Sequence, residues 1–181
     1  MRADAQRNRR RVLDTAAATF ASEGLSVTVH EIARRAGVGT GTVSRHFPTK
    51  ESLYAAVLLD RMRDIADHAD HLAAANDPTA AFLALFSRLV HEGAVHRGLA
   101  EALAGSGFDI ESAATAADCD VTGRLRNLLA AAQQDGGIRA DIVFADIKAL
   151  MAGCLSHEEP DRDRIIDVIS TGLRTQAAPQ D

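Results

Sequence analysis

At 181 residues, 46% of them hydrophobic, the chain is long for one minimal helical unit and short for two large domains, so a small head on a larger body is expected. Alanine and leucine are frequent, Trp is absent, Tyr occurs once, and β-branched residues seldom alternate with polar ones, which excludes a sheet architecture and predicts an all-α protein. The net charge of -5 excludes a uniformly basic nucleic-acid binder but conceals a split: up to residue 63, eleven basic residues oppose six acidic ones, a balance of +5, and the remainder carries -10.

A basic head suits contact with phosphates, and like charge keeps an acidic body away from them. Cys119 and Cys154 stand far apart and outside any CxxC spacing, which argues against a disulfide framework or zinc knuckle and fits a reducing cytoplasm. The opening MRADAQRNRRR leads into an amphipathic segment, not an apolar signal core, and nowhere do about 18 apolar residues follow one another. The expectation is a cytoplasmic protein, neither exported nor membrane-spanning.

Across residues 7–23, Val12, Leu13, Ala16, Ala17 and Phe20 recur at spacings of three and four, which stacks them on one face of a first helix. Gly24 ends it, because glycine readily takes the left-handed conformation that closes a helix. Thr28 followed by Glu31 reads as a capping box, hydroxyl and carboxylate each satisfying an open backbone donor at the start of the second helix. Ile32, Ala33 and Ala36 form its inner face, Gly37 makes the turn, and Val38 plugs the space between helices. A third helix over residues 40–46 turns Val43 and Phe47 inward and leaves its other side open. Pro48 breaks the chain and Thr49 offers an N-cap, after which Leu53, Ala56, Val57, Met62 and Ile65 mark a long fourth helix.

Asn76, Asp77 and Pro78 punctuate the chain again, with Asp77 as N-cap and Pro78 at the first helical position. A fifth helix carries Phe82, Leu85, Phe86 and Leu89, and a sixth, shorter one carries Leu99 and Leu103 before Gly105, Ser106 and Gly107 interrupt it. A seventh, residues 109–134, carries Leu125, Leu128 and Leu129 and stops at Gly136 and Gly137. An eighth, residues 141–157, presents Ile147, Leu150, Met151, Cys154 and Leu155; a ninth, residues 161–174, presents Ile165, Ile166, Ile169 and Leu173. No internal repeat is visible, and the final AAPQD is expected to fray.

Residues 28–47, TVHEIARRAGVGTGTVSRHF, therefore read as a helix-turn-helix. Gly39, Thr40, Gly41 and Thr42 are small enough to bring the third helix close to base edges, and the hydroxyls can bond bases or phosphates. Ser44 adds a hydroxyl donor. Arg45 suits a bidentate guanine contact and a phosphate contact equally. Thr28, at a helix N-terminus, offers a backbone donor and a hydroxyl to a phosphate. The run Arg9, Arg10, Arg11 reads either as a solvated helix start or as an arm touching phosphates.

An apolar helix ending FASEG, then Thr28, IARRAGV, GTVSRHF, Lys50 and Leu53, resembles the head of the TetR/AcrR family of one-component transcriptional regulators over residues 7–60. Gly37, Val38, Gly41, Thr42, His46, Phe47 and Lys50 all fall in register. The phrase DGGIRADIVFADIKALMAGC resembles the approach to the eighth helix in many such regulators. The resemblance implies an all-α homodimer whose heads bind a palindromic operator and whose bodies bind an effector, usually repressing until that ligand arrives. His46 and Lys50 match family positions that grip the DNA backbone. At Ser44 the family commonly has a tyrosine lying on that backbone; serine keeps a donor but loses reach and apolar contact, so affinity is lower or Arg45 supplies the contact. The implied division is a helix-turn-helix domain over residues 5–64, joined through the long fourth helix to an effector-binding and dimerisation domain over residues 65–176.

By the same resemblance, an effector pocket lies among helices four to eight, with Met62, Phe82, Phe86, Leu89, Leu103, Phe108, Leu125 and Leu129 as candidate lining; at helical spacing each also serves as plain core. Few aromatics argue against a cage for flat cationic drugs and favour an aliphatic or small polar effector. The last two helices carry wide apolar faces, with Leu150, Met151, Cys154, Ile165, Ile169 and Leu173 as the candidate dimer interface and Gly153 permitting close approach. A two-fold four-helix bundle there would place two recognition helices in successive major grooves about 34–36 Å apart or somewhat more. His68 and His71 beside Asp67 and Asp70, then His91 and His96, then His157 before Glu158 and Glu159 raise a metal reading. No thiolate joins them and exposed acidic, His-rich faces are common, so neither metal nor cofactor is expected. No nucleophile elbow, phosphate loop or HExxH appears, which points away from an enzyme. The expected function is a ligand-responsive repressor whose partners are an inverted-repeat DNA operator, a small-molecule effector and a second copy of the chain. The alternative from another class, an all-α ligand-binding or metal-sequestering protein with a packing module for a head, would fail to retain duplex DNA.

Overall fold

The computed structural model describes residues 2–74 and 77–175. Asn76 and the AAPQD end lie outside them. Among the described residues the chain forms nine helices and one isolated antiparallel bridge, Ile138 with Arg174. The helices are α1 (Arg2–Glu23), α2 (Val29–Ala36), α3 (Thr40–His46), α4 (Lys50–Ala73), α5 (Pro78–Gly105), α6 (Ile110–Ala116), α7 (Val121–Gln134), α8 (Phe144–Leu155) and α9 (Asp161–Leu173).

Two boundaries differ from those the sequence suggests. The expected fifth and sixth helices are one, α5, because the interruptions between Leu89 and Leu99 are only Gly93 and Gly98, and isolated glycines are tolerated inside a helix that packing supports. The expected seventh helix is two. Asp118 takes a left-handed φ of 55°, and Asp120 starts α7 afresh by accepting from the Gly123 N–H at 2.8 Å.

The chain divides into two compact units: Met1–Arg63 with Val95–Cys119, and Asp64–Ala94 with Asp120–Asp181. The division suggested at residues 64 and 65 falls close to the break within α4, but the first unit also takes in Val95–Cys119. In that unit, Val12, Leu13, Ala16 and Phe20 of α1, Ile32 and Ala36 of α2, Val43 and Phe47 around α3, and Leu53, Tyr54 and Val57 of α4 form one core, joined by Leu99 and Leu103 of α5. Phe20 and Tyr54 meet edge to face with ring centres 5.0 Å apart.

The caps explain where these short helices begin. Thr28 Oγ1 accepts from the Glu31 N–H at 3.2 Å, but the Glu31 carboxylate turns to Arg34 and Arg35, so only half of the expected capping box forms. At α4 the exchange is complete: Ser52 N–H donates to Thr49 Oγ1 at 3.0 Å, and Thr49 N–H donates to Ser52 Oγ at 3.1 Å.

The second unit draws its buried residues from Ile65, Ala66 and Ala69 of α4, Phe82, Leu85, Phe86 and Val90 of α5, Leu125, Leu128 and Leu129 of α7, Ile147 and Cys154 of α8, and Ile166 and Leu173 of α9. Asp77 caps α5 by accepting from the Ala80 N–H at 2.9 Å. The α7–α8 connection is held by Gln133, whose Nε2 donates to the Arg139 and Ile142 carbonyls at 2.9 and 2.8 Å, and by the Arg139 N–H bond to the Leu173 carbonyl at 3.0 Å. Gly137 admits no side chain, since a Cβ there would fall 1.9 Å from Thr79 Oγ1.

Gly37 carries the turn of the helix-turn-helix. Its φ of 63° is left-handed, and an added Cβ would come within 2.9 Å of Arg11 Nη2, which itself bonds the Ala36 carbonyl at 2.6 Å. Gly37→Ala is therefore expected to destabilise the head by about 1–2 kcal/mol. Tyr54 is the one tyrosine in a chain without tryptophan and lies in this core, so its fluorescence during urea unfolding reads the loss directly.

Candidate nucleic-acid interface

Burying Val43 and Phe47 fixes the orientation of α3 and turns Gly39, Gly41, Ser44, Arg45 and His46 to exposed positions, with Thr40 and Thr42 half-exposed. Gly39 gives the first turn of α3 no side-chain cap, and a Cβ at Gly41 would meet nothing within 4 Å, so this face is unobstructed by the head itself. Thr28, exposed at the start of α2, uses a lone pair on the Glu31 N–H and keeps its hydroxyl proton to donate elsewhere. The face thus presents hydroxyls, a guanidinium and an imidazole on a surface of small residues.

Several cations around this face are engaged within the head. Lys50 Nζ donates to the Leu25 carbonyl at 2.5 Å, and the same oxygen accepts from the Tyr54 hydroxyl at 3.0 Å. One of the three ammonium donors of Lys50 therefore secures the α1–α2 connection, a link between residues 25 apart that spacing alone does not reveal. Arg9, Arg10 and Arg11 lie inside α1. The Arg9 guanidinium stands 5.8 Å from the Phe47 ring centre, Arg10 approaches Asp14 and Asp60 at 3.3 and 3.5 Å, and Arg11 closes the C-terminus of α2.

A four-residue ion network orders the outer side of α2. Arg34 donates to Glu31 through Nε at 2.8 Å and Nη2 at 2.7 Å, Arg35 donates to Glu31 at 2.7 Å, and Arg35 also pairs with Glu23 of α1. Hydrogen bonds from Arg34 and then Arg35 hold the Glu31 carboxyl down to about 2, from an ordinary 4.5. Neither arginine was among the residues singled out by spacing, although Glu31 followed by bases three and four positions later is the signal that could have shown the pairing.

Residues 12–57 match the family described as bacterial regulatory proteins of the tetR family, and residues 77–175, more than half of the chain, match the C-terminal domain of SbtR-like transcriptional regulators. The chain belongs to the TetR family of transcriptional regulators. A TetR regulatory protein from Mycobacterium vanbaalenii is 49% identical, with 96% of this chain and 99% of that one covered and a TM-score of 0.78. The TetR regulator SCO0520 from Streptomyces coelicolor is 32% identical over 93% and 99%, with a TM-score of 0.76. The HTH-type transcriptional regulator SrpR of Pseudomonas putida is 39% identical over 64 residues, a match spanning 35% of this chain and 30% of SrpR. This TetR-family protein is thus a DNA-binding transcriptional regulator with an N-terminal helix-turn-helix and a helical body. Among the described residues, no helix is long and apolar enough to cross a membrane.

The body of this regulator rearranges two expectations. Of the eight residues proposed as effector lining, Leu103 is buried in the core of the first unit with Phe108 against it, and Met62 also belongs to that unit, half-buried. Phe82, Phe86, Leu125 and Leu129 are buried in the second unit, and Leu89 is half-buried. None lines the cleft of roughly 180 Å³ in the second unit, which is walled by Leu72, Pro78, Ala81, Leu128 and Ala131 and edged by Asp70, Arg124 and Asn127. Arg124 grips Asp70 there through Nε at 2.9 Å and Nη2 at 3.0 Å. Phe82, Phe86, Leu103, Leu125 and Leu129 are core because their helical faces turn into packed units, whereas Met62, Leu89 and Phe108 stay partly exposed. The pair that marks the cleft is separated by 54 residues.

The dimer expectation changes similarly. Cys154 and Leu173 are 0% and 3% exposed in the protomer, filling its own core, and offer no surface to a partner. Leu150, Met151, Ile165 and Ile169 are half-buried; the exposed positions of α8 and α9 include the small or apolar Ala145, Ala149, Ala152, Gly153 and Val168, the last 67% exposed, beside the charged Asp146, Lys148, Asp161, Asp163, Arg164 and Asp167.

The Glu31 network fixes a pH dependence. The carboxyl is lowered in the folded state, so its contribution is present above the ordinary 4.5 and is lost as pH falls from there through about 2. In urea unfolding followed by Tyr54 fluorescence, Glu31→Gln is expected to be less stable than the natural protein at pH 7, with the gap closing across that window. A gap independent of pH would show that the network does not hold the carboxylate charged.

Proposed function

We propose that this regulator is a repressor that binds an inverted-repeat operator as a homodimer and is released by a small-molecule effector. The observation that carries the reading is the outer face of α3, where Gly39, Thr40, Gly41, Thr42, Ser44, Arg45 and His46 stand clear of the head's own core. A major groove admits a helix whose leading residues are small and polar, and Arg45 and the two threonines have the donors to read base edges. Thr28, His46 and the remaining donors of Lys50 serve the phosphates on either side. Ser44, lacking the ring common in the family, leaves much of the backbone contact to Arg45 and Thr28.

The dimer reading rests on α8 and α9. Ala145, Ala149, Ala152 and Gly153 form an exposed, small-residue face that permits close helix approach, and Val168 adds a large apolar side chain that a monomer leaves in water. The effector reading rests on the cleft at Asp70 and Arg124, apolar along its walls and charged at its rim. Its size suits a small aliphatic molecule carrying one polar group. The lever is α4, which supplies residues 50–63 to the head unit and 64–73 to the unit holding the cleft. An effector that prefers one conformation of α4 shifts the population whose heads match the operator spacing.

Binding to DNA from upstream of the protein's own gene tests the reading. Lys50→Ala combined with His46→Ala is expected to weaken binding to every DNA sequence and to flatten the salt dependence by about one unit of slope per lost phosphate contact. Arg45→Ala is expected to cost about 1–3 kcal/mol, relaxing preference at one base pair if the partner is guanine and acting uniformly if it is phosphate. Unchanged affinity in the Lys50, His46 double variant would contradict the assignment.

A further inference from the structure

In the second unit His91 meets two carboxylates remote from it in sequence, Glu159 and, 72 residues on, Asp163. His91 Nε2 of α5 lies 2.7 Å from Asp163 Oδ1 of α9 and 3.7 Å from Glu159 Oε1, just before α9; one ligand atom from each falls within 4.8 Å of the others. The other ring nitrogen, Nδ1, lies 2.8 Å from the Ser87 carbonyl oxygen, the preceding turn of the same helix. A carbonyl only accepts, so Nδ1 carries a proton, and in the neutral imidazole Nε2 then directs its lone pair at two carboxylates. Two acceptors at 2.7 Å require a positive centre between them.

At 2.7 Å a proton is that centre; a metal ion takes its place once rotation of these exposed side chains lets the nitrogen and oxygen part to about 3.2 Å, the separation two ligands keep on a tetrahedral ion. A backbone carbonyl on the remote ring nitrogen is the arrangement that fixes the tautomer and orientation of metal-binding histidines. One imidazole nitrogen with two carboxylates suits a first-row divalent ion such as Zn²⁺, which takes nitrogen and oxygen ligands together, and the two negative charges balance the ion's own. All three side chains are 41–59% exposed, so an ion reaches them without unfolding the body. Burial pulls the His91 imidazole down, yet Asp163, the Ser87 carbonyl and Glu159 together raise it above its ordinary 6.5, so a proton competes with an ion for Nε2. Arg162 holds Glu159 Oε1 through Nη1 at 2.9 Å and anchors itself on the His157 carbonyl through Nη2 at 2.6 Å. It orients one ligand and, by its charge, keeps affinity moderate.

We propose that His91, Glu159 and Asp163 form a binding site for a divalent first-row transition-metal ion, with water completing its coordination, that ties α5 to the start of α9. The inference is independent of the operator and effector reading above. His68 and His71, the histidine pair that spacing makes most conspicuous, is not part of it: His71 Nδ1 lies 2.6 Å from the Asp67 carbonyl oxygen, and the two histidines have no carboxylate cluster of this kind among the described residues.

Calorimetric titration of the purified full chain with Zn²⁺, paired with Co²⁺ titration read by its visible absorption, tests the site. The expected result is one saturable ion per chain, Co²⁺ displaced by Zn²⁺, and at least a tenfold loss of affinity in both His91→Ala and the gentler Asp163→Asn. Thermal unfolding should show a metal-dependent rise in the natural protein and none in Asp163→Asn, whose metal-free unfolding serves as the folding control. Three results overturn the proposal: no saturable binding, binding undiminished in Asp163→Asn, or an NMR titration in which His91 takes up a proton but its Nε2 resonance is unmoved by Zn²⁺.

Discussion

A seven-residue helix has no stability of its own in water, because nucleating its first turn costs more than its few hydrogen bonds return. The recognition helix α3 therefore exists only because Val43 and Phe47 are buried, 1% and 4% exposed, against α1, α2 and α4. That burial also determines direction. With the inner side fixed, the outer side has to be the one carrying Gly41, Ser44 and Arg45. Gly37 permits the chain to turn sharply enough for the two inner faces to meet, and Arg11 fastens the turn by bonding the Ala36 carbonyl. The face proposed to meet DNA is thus a by-product of the hydrophobic packing beneath it.

The charge of the head follows the same logic. A balance of +5 over the first 63 residues suggests a broad positive surface, yet much of it is committed internally: Arg34 and Arg35 to Glu31 and Glu23, Arg10 and Arg61 to Asp14, Lys50 to the Leu25 carbonyl. The ion pairs among them are exposed or partly so and individually weak contributors to stability. Their effect is on geometry. They hold α2 and the α1–α2 connection in register around α3, so that the outward-facing Arg45 and His46 are presented at a defined place and the long-range field still attracts a polyanion.

Much of the fold was legible because the head is locally determined. Thr28, Gly24, Gly37, Thr49, Asp77 and Pro78 mark helix ends by chemistry that acts within a turn or two, and the structure places them at those ends. The misread boundaries arise where tertiary packing overrides local signals: Gly93 and Gly98 are absorbed into α5, and Asp118 breaks an otherwise helical stretch. The candidate DNA face was open to sequence reading for the same reason. Residues of α3 share a single short segment, whereas the cleft depends on Asp70 meeting Arg124 and the His91 cluster on α5 meeting α9, pairings set by how helices pack. Periodicity identifies an apolar face but not what it meets, which is why Cys154 and Leu173 read as interface and prove to be core.

In the proposed function, two copies of the head, each presenting α3 in this orientation, read a two-fold symmetric DNA site. A hydroxyl-radical footprint of the full-length protein on DNA from upstream of its own gene tests it most directly. Two protected patches on one face of the duplex, about one helical turn or a small multiple apart and centred on an inverted repeat, are the predicted result. A single unrepeated patch, or no protection where the protein is saturating, would contradict the account.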